Sequence, residues 1–117
     1  MSEDPVIVAG AGPTGMVTAL GLQARGIPVE LYEADPEDRD RPGSRAIFVH
    51  GATLRTLDTL YPGLGSDLAE RGIIWPTRRT LFRGEEVFSR TYDDPLDAGE
   101  GLPPFTSLPQ VWTEEIL

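Results

Sequence analysis

Apolar and polar positions follow three rhythms in the first third of this chain. Residues 6–9, Val-Ile-Val-Ala, form an unbroken apolar run closed by Gly10. Such a run reads as a strand buried on both faces, as in a parallel sheet. From Pro13 to Arg25 the spacing turns helical. Met16, Ala19, Leu20 and Gln23 share one face, and Val17 and Leu22 widen it. Gly26 stands where a C′ glycine ends a helix. Residues 27–33 then alternate, with Val29, Leu31 and Glu33 pointing one way, which reads as a second strand. Strand, helix and strand within about 30 residues make a βαβ unit with a right-handed crossover between parallel strands.

Beyond this unit the rhythm breaks. Residues 34–44 carry charge, proline and glycine without periodicity and read as a loop. Leu54, Leu57 and Leu60 predict a helix over 52–61, stopped by the Tyr-Pro-Gly-Leu-Gly run of 61–65. A short helix follows over 66–72, with Ser66 as its cap. Residues 76–92 read as a hairpin, with Gly84 serving the turn. Residues 93–104 are a second long loop, and Glu114 to Leu117 resemble a first helical turn. The fold class is therefore α/β: a Rossmann-like βαβ unit of the FAD/NAD(P)-binding kind plus a β-hairpin, an incomplete sheet without further strands.

Composition narrows the functions available. The 117 residues hold one domain at most. A formal charge of −9 disfavours nucleic acid and anionic membrane surfaces as partners. All ten basic residues are arginine, so a Walker-type phosphate lysine and Schiff-base chemistry are excluded on this chain. Cysteine is absent, which excludes disulfides, thiolate metal sites and cysteine nucleophiles. The start, Met-Ser-Glu-Asp-Pro, lacks the apolar stretch of a secretory signal, and no apolar run has membrane-spanning length. The expectation is a soluble cytoplasmic protein.

The candidate chemistry lies between the first strand and helix. Gly10, Gly12 and Gly15 give G-x-G-x-x-G. The spacing is weak alone, but here it follows a strand and opens a helix. Gly10 permits the tight turn, Gly12 lets a pyrophosphate approach the backbone, and Gly15 lets the helix pack closely. The helix N-terminus presents unpaired N–H groups to phosphate, and Pro13 gives up an N–H that had no helical partner. Glu33 stands 18 residues after Gly15, where an acid is expected to bind a ribose 2′-hydroxyl. Its charge would repel a 2′-phosphate, so the adenosine belongs to FAD or NAD. Spacing does not separate those two.

A resemblance does. Residues 10–37, then Arg-Pro-Gly-Ser-Arg-Ala from 41 into the helix ending near Leu60, then 108–117, resemble the group A flavoprotein monooxygenases, the para-hydroxybenzoate hydroxylase type. The matching features are Gly12-Pro13-Thr14-Gly15, the Arg45-Ala46 pair, and Gln110 opening a helix that carries Glu114, Glu115, Ile116 and Leu117. The resemblance implies FAD as cofactor, with Arg45 beside its ribityl-pyrophosphate and Gln110 at its linker or ring. The implied cofactor-binding set is Gly10, Gly12, Pro13, Thr14, Gly15, Glu33, Ala34, Arg45, Ala46 and Gln110. It further implies reduction by NADH or NADPH, and transfer of one oxygen atom from O2 to a small organic substrate, aromatic or polyketide-like. The cofactor carries that chemistry, so no general acid or base is required of the chain. The family also carries later segments, so the expected partner is the C-terminal remainder of the flavoenzyme. Residues 1–117 would then be the N-terminal part of an FAD-binding domain, with 76–92 beginning a substrate-facing sheet. The alternatives are a flavin oxidoreductase without oxygen transfer and a non-catalytic dinucleotide-binding subunit.

Other conspicuous residues have plainer readings. His50, the single histidine, reads as a helix cap or a packed polar group. Trp75 and Trp112 read as packing residues. The acidic run from Asp35 to Asp40 reads as a solvated loop and not a metal site. The resemblance, in which this hairpin begins the substrate-facing sheet, implies that Phe82 or Phe88 approaches a substrate.

Overall fold

The computed structural model describes residues 4–40, 48–92 and 102–117. Arg45 and Ala46 thus lie outside the described residues, as does residue range 93–101 of the second long loop.

The expected βαβ unit is formed. Strands β1 (Val6–Ala9) and β2 (Val29–Tyr32) pair in parallel, Val6 opposite Val29 through Ala9 opposite Tyr32, and α1 (Pro13–Ala24) crosses between them. The Gly10 N–H prolongs the ladder by donating to the Tyr32 carbonyl at 2.7 Å. Gly26, at φ +70°, closes α1. Its N–H donates to the Gln23 carbonyl and the Ile27 N–H to that of Leu22, the paired closure that a left-handed residue permits.

Two expectations about burial are corrected here. β1 is not buried on both faces, since Ile7 is 61% exposed and Val6 41%. Among the described residues its sheet has two strands and no covering layer on the outer face, so an apolar run finds nothing to pack against. On α1, Gln23 is exposed and does not join the packed face; Val17 and Leu20 turn instead toward the neighbouring helices.

The core lies beside the sheet. β3 (Phe48–His50) leads into α2 (Gly51–Leu60), which turns back as α3 (Leu64–Arg71). Leu54, Leu57, Leu64, Leu68 and Ala69 from these helices and Leu108 from further along form the buried cluster. Each fully buried leucine contributes about 1.5–3 kcal/mol. The leucines expected on one face of the 52–61 helix divide, with Leu54 and Leu57 inside and Leu60 at the margin.

The cap of α3 corrects the sequence reading. Ser66 sits inside the helix, and the N-cap is Gly63 at φ +90°. The capping oxygen comes from α2: Asp58 Oδ1 accepts from the N–H of Gly65 at 2.7 Å and of Ser66 at 3.3 Å. A carboxylate held by tertiary packing has satisfied the amides that a local serine was expected to meet.

The hairpin pairs β4 (Thr77–Phe82) with β5 (Glu85–Thr91), with a register shift at Thr80/Leu81. Arg83 and Gly84 both take positive φ at the turn, the two-residue geometry that suits strand twist. β6 (Phe105–Ser107) pairs antiparallel with β3. These three-residue strands were not legible from alternation. At their junction with the hairpin, Phe105 is buried between the rings of Trp75 (4.2 Å), Phe48 (4.9 Å) and Tyr92 (5.2 Å). Trp75 packs as expected, and its Nε1 donates to Ser107 Oγ at 3.1 Å. Trp112 instead lies at the surface beneath the Arg71 guanidinium. The last element, α4 (Gln110–Ile116), begins at Gln110, where the resemblance implies it and a full turn earlier than Glu114.

Candidate dinucleotide site

Backbone conformation at one position of the glycine loop and close contact at another favour glycine. Gly10 takes φ +103°, a conformation L side chains rarely adopt. A Cβ on Gly15 would overlap the Gly10 carbonyl oxygen. Gly15 therefore lets the first turn of α1 seat directly on the strand end, as the motif's third glycine is expected to do.

Gly12 differs. It is the N-cap of α1, no side chain caps the helix, and Pro13 occupies its first position. A Cβ on Gly12 would meet no heavy atom within 4 Å. The floor above the helix N-terminus is thus open to an external group, and the amides of Thr14 and Gly15 start the helix without intrahelical acceptors. Open space, unpartnered amides and the helix dipole together favour a phosphate-bearing ligand. The residues fit the pyrophosphate of a dinucleotide.

Glu33 stands at the end of β2 and closes the other side. Its Oε2 accepts the Ala11 N–H at 2.7 Å, and its Oε1 accepts the Asp35 N–H at 3.1 Å. The Ala11 bond, then that from Asp35, holds its carboxyl below the ordinary glutamate value. The side chain is exposed, so both oxygens keep lone pairs for a ligand's hydroxyls. Ala34 continues the chain beside it. Sequence reasoning identified Glu33 but not its grip on the loop, because an amide N–H at Ala11 carries no sequence signal.

Gln110 lies on a separate wall. It is half-buried in the first turn of α4, and its Nε2 donates to Glu114 Oε1 at 2.9 Å. Glu114 also faces Arg39, Oε2 to Nη2 3.8 Å, in the segment after β2. A cleft lies between Glu37–Asp40 and Val111, Glu114 and Glu115. Arg39 and Glu114 were not singled out as partners; 74 intervening positions carry no pattern that joins them. His50 is the N-cap residue of α2 by position, but its ring makes no cap bond and packs edge-on against Phe48 at 4.7 Å.

The glycine loop and Glu33 form one site, and the segment after β2 connects it toward Gln110. No helix among the described residues is long and apolar enough to cross a membrane. Comparison with known proteins identifies the family. A family model described as an FAD binding domain matches residues 3–117. A flavin-dependent monooxygenase of Mycobacteroides abscessus is 33% identical over 119 residues, which cover 96% of this chain and 24% of that protein. Para-nitrophenol 4-monooxygenase of Pseudomonas sp. is 38% identical over 73 residues, covering 62% of this chain and 17% of that protein. The crystal structure of p-nitrophenol 4-monooxygenase PnpA from Pseudomonas putida DLL-E4 superposes with a TM-score of 0.76 at 26% identity, over 97% of this chain and 28% of that one. The chain spans about a quarter or less of the length of these curated relatives. Glycine loop, acidic strand end and family match agree, and the chain belongs to the FAD binding domain family of flavin-dependent monooxygenases.

Proposed function

We propose that this chain is the FAD-binding part of a monooxygenase that uses NADH or NADPH and O2 to hydroxylate or epoxidise a small aromatic or polyketide-like substrate. The observation that carries this reading is the open floor at Gly12, bordered by the exposed Glu33 carboxylate that the loop itself orients. The name of one relative, para-nitrophenol 4-monooxygenase, supports the aromatic substrate class.

Each residue has a bounded task. Gly12, Thr14 and Gly15 present backbone to the pyrophosphate, and Pro13 sets the first turn without an N–H to mispair. Glu33 and the adjacent Ala34 hold the adenosine ribose through its hydroxyls. Gln110 contacts the flavin linker or ring, and Arg45 and Ala46 contribute where the resemblance puts them. FAD, once bound, supplies electron transfer from NAD(P)H and the activation of O2. The protein's share is to orient it and exclude water.

The remainder of the flavoenzyme is the proposed partner. Support comes from the coverage of the relatives and from the open faces of β1 and β2. The hairpin adds to it: every residue of β5 is exposed, and Leu81, Phe82, Val87 and Phe88 all face solvent. Exposed apolar side chains on a two-stranded hairpin suit a sheet on which further chain packs. The chain's radius of gyration, 17.4 Å, exceeds the roughly 13 Å of a compact domain this long.

The test is purification of the whole protein. A yellow flavin spectrum that NADH or NADPH bleaches, with substrate-dependent uptake of label from 18O2, is the expected result. Bleaching without label favours a non-oxygenating oxidoreductase, and bound FAD that no reductant bleaches favours a non-catalytic subunit. Residues 1–117 expressed alone are expected to bind FAD weakly, and a cooperatively unfolding monomer with tight FAD would overturn the need for a partner.

A further inference from the structure

The β4–β5 hairpin has two unlike faces. Strand alternation puts Thr77 and Arg79 with Thr91 and Glu86 on one, and Arg78 with Arg90 and Phe88 on the other. The first face satisfies itself: the Thr77 and Thr91 hydroxyls share a hydrogen bond at 3.3 Å, and Arg79 Nε lies 3.5 Å from Glu86 Oε2. On the second face Arg78 and Arg90 stand directly opposite each other, where like charges repel. No carboxylate among the described residues comes within ion-pair distance of either, although the chain carries 19 acidic residues against 10 basic. Glu85, the acid on that face, stands opposite Phe82 at the hairpin tip, with the Thr80–Phe88 pair in between. Arg90 is also placed by its neighbours. Its guanidinium lies over the Tyr92 ring, 4.9 Å from the centroid, and that ring meets Phe105 edge-on at 5.2 Å. A stacked guanidinium keeps N–H donors at its rim, and such forks match the two oxygens of a carboxylate. Beside the pair, Phe88 is 53% exposed and offers an apolar plane diagonal to Arg78.

We propose that this face of the hairpin binds an aromatic acid as the substrate: Arg78 and Arg90 hold its carboxylate, and Phe88 meets its ring. This rests on the reading of 76–92 as the start of a substrate-facing sheet and names the substrate class for it. A bound carboxylate supplies the acceptor that both arginines lack among the described residues, and it offsets their mutual repulsion. A neutral ring of the same shape meets Phe88 alone.

The test is calorimetric titration of the whole protein with benzoate, benzamide and acetate, with FAD uptake and thermal melting followed in the same samples. Benzoate is expected to bind about tenfold more tightly than benzamide. Arg78→Gln and Arg90→Gln are each expected to remove most of that preference. Phe88→Ala is expected to weaken benzoate and benzamide together. Arg79→Gln, on the opposite face, is expected to change neither. Equal binding of benzoate and benzamide, binding of neither, acetate as tight as benzoate, or a preference that survives both arginine variants overturns the proposal. Without ligand, each arginine variant is expected to melt at an unchanged or higher temperature, because a repulsion is relieved. A lower melting temperature, or a variant that does not fold, shows that a carboxylate elsewhere in the whole protein already pairs with the arginines, and that overturns the proposal too. If FAD is taken up but benzoate is not bound, the proposal falls and the reading of the FAD site stands. If the unaltered protein takes up no FAD, the flavoenzyme reading falls, and the substrate assignment with it.

Discussion

In the β1–α1–β2 half of the molecule, no residue of the helix is buried and the strands leave Val6, Ile7, Leu31 and Tyr32 in contact with solvent. In the α2–α3 half, Leu54 and Leu68 are wholly shut from water. The first half is held by backbone: a parallel ladder, a left-handed glycine at each end of the helix crossover, and an N–H bonded to a carboxylate. The second half is held by side-chain packing. The part proposed to bind the ligand is thus not the part that holds the fold. A dinucleotide site needs exposed backbone and open space, and both are incompatible with a packed leucine interior.

Substitutions can break or sharpen that division. The largest effect belongs to the core. Leu68→Ala is expected to cost about 2–5 kcal/mol in chemical denaturation, by lost burial plus a cavity. If FAD affinity fell as far as stability in conditions where the variant is folded, the division would be wrong.

Gly12→Val is the converse. It fills the open floor and is expected to lower FAD affinity about a hundredfold by titration. The melting midpoint should shift little, as for a surface change of about 0.5 kcal/mol or less. A large loss of stability would show that Gly12 belongs to the packing after all.

Asp58→Ala lies on the core side but acts through polar groups. Removing the oxygen that meets Gly65 and Ser66 is expected to cost about 1 kcal/mol, seen as a lower melting temperature with FAD affinity unchanged. Ser66→Ala should cost less than Asp58→Ala, which separates the observed cap from the one that local sequence implies.

The smallest effect concerns Glu33. Its carboxyl is held below the ordinary value of 4.5 by the Ala11 and Asp35 amides. A depressed folded-state pKa stabilises the fold above that ordinary value, and the contribution disappears as pH falls through the lowered one. Glu33→Gln is therefore expected to narrow slightly the gap in melting temperature between pH 7 and pH values below 4.5, because the site is exposed and screened. FAD affinity should weaken over the same acid range in the parent and stay flat in the variant.

Much of the geometry of the candidate site was legible because its requirements are local. A glycine at φ +103°, a glycine beneath a carbonyl, and an acid at the end of the next strand are conditions on single positions at fixed spacing, so the backbone roles of Gly10 and Gly15 and the place of Glu33 could be read locally. The Schellman closure at Gly26 and the turn at Gly84 were legible for the same reason. The α3 cap was misread because Ser66 satisfies the local rule while Asp58, eight residues earlier, reaches the same amides through the fold. The β1 burial was misread because an apolar run reports what a strand can pack against, not what is there to cover it.

The amino-acid sequence by itself determined the βαβ unit, its glycine loop, the acidic strand end and the hairpin, since each follows from backbone conformation and residue spacing over a short stretch. Only the tertiary structure decided that the core lies among α2, α3 and Leu108 and not on the sheet, that β3 meets β6 across more than fifty residues, and that Arg39 faces Glu114. These contacts join positions whose separation along the chain is set by loops, and loop length carries no record of where its ends meet.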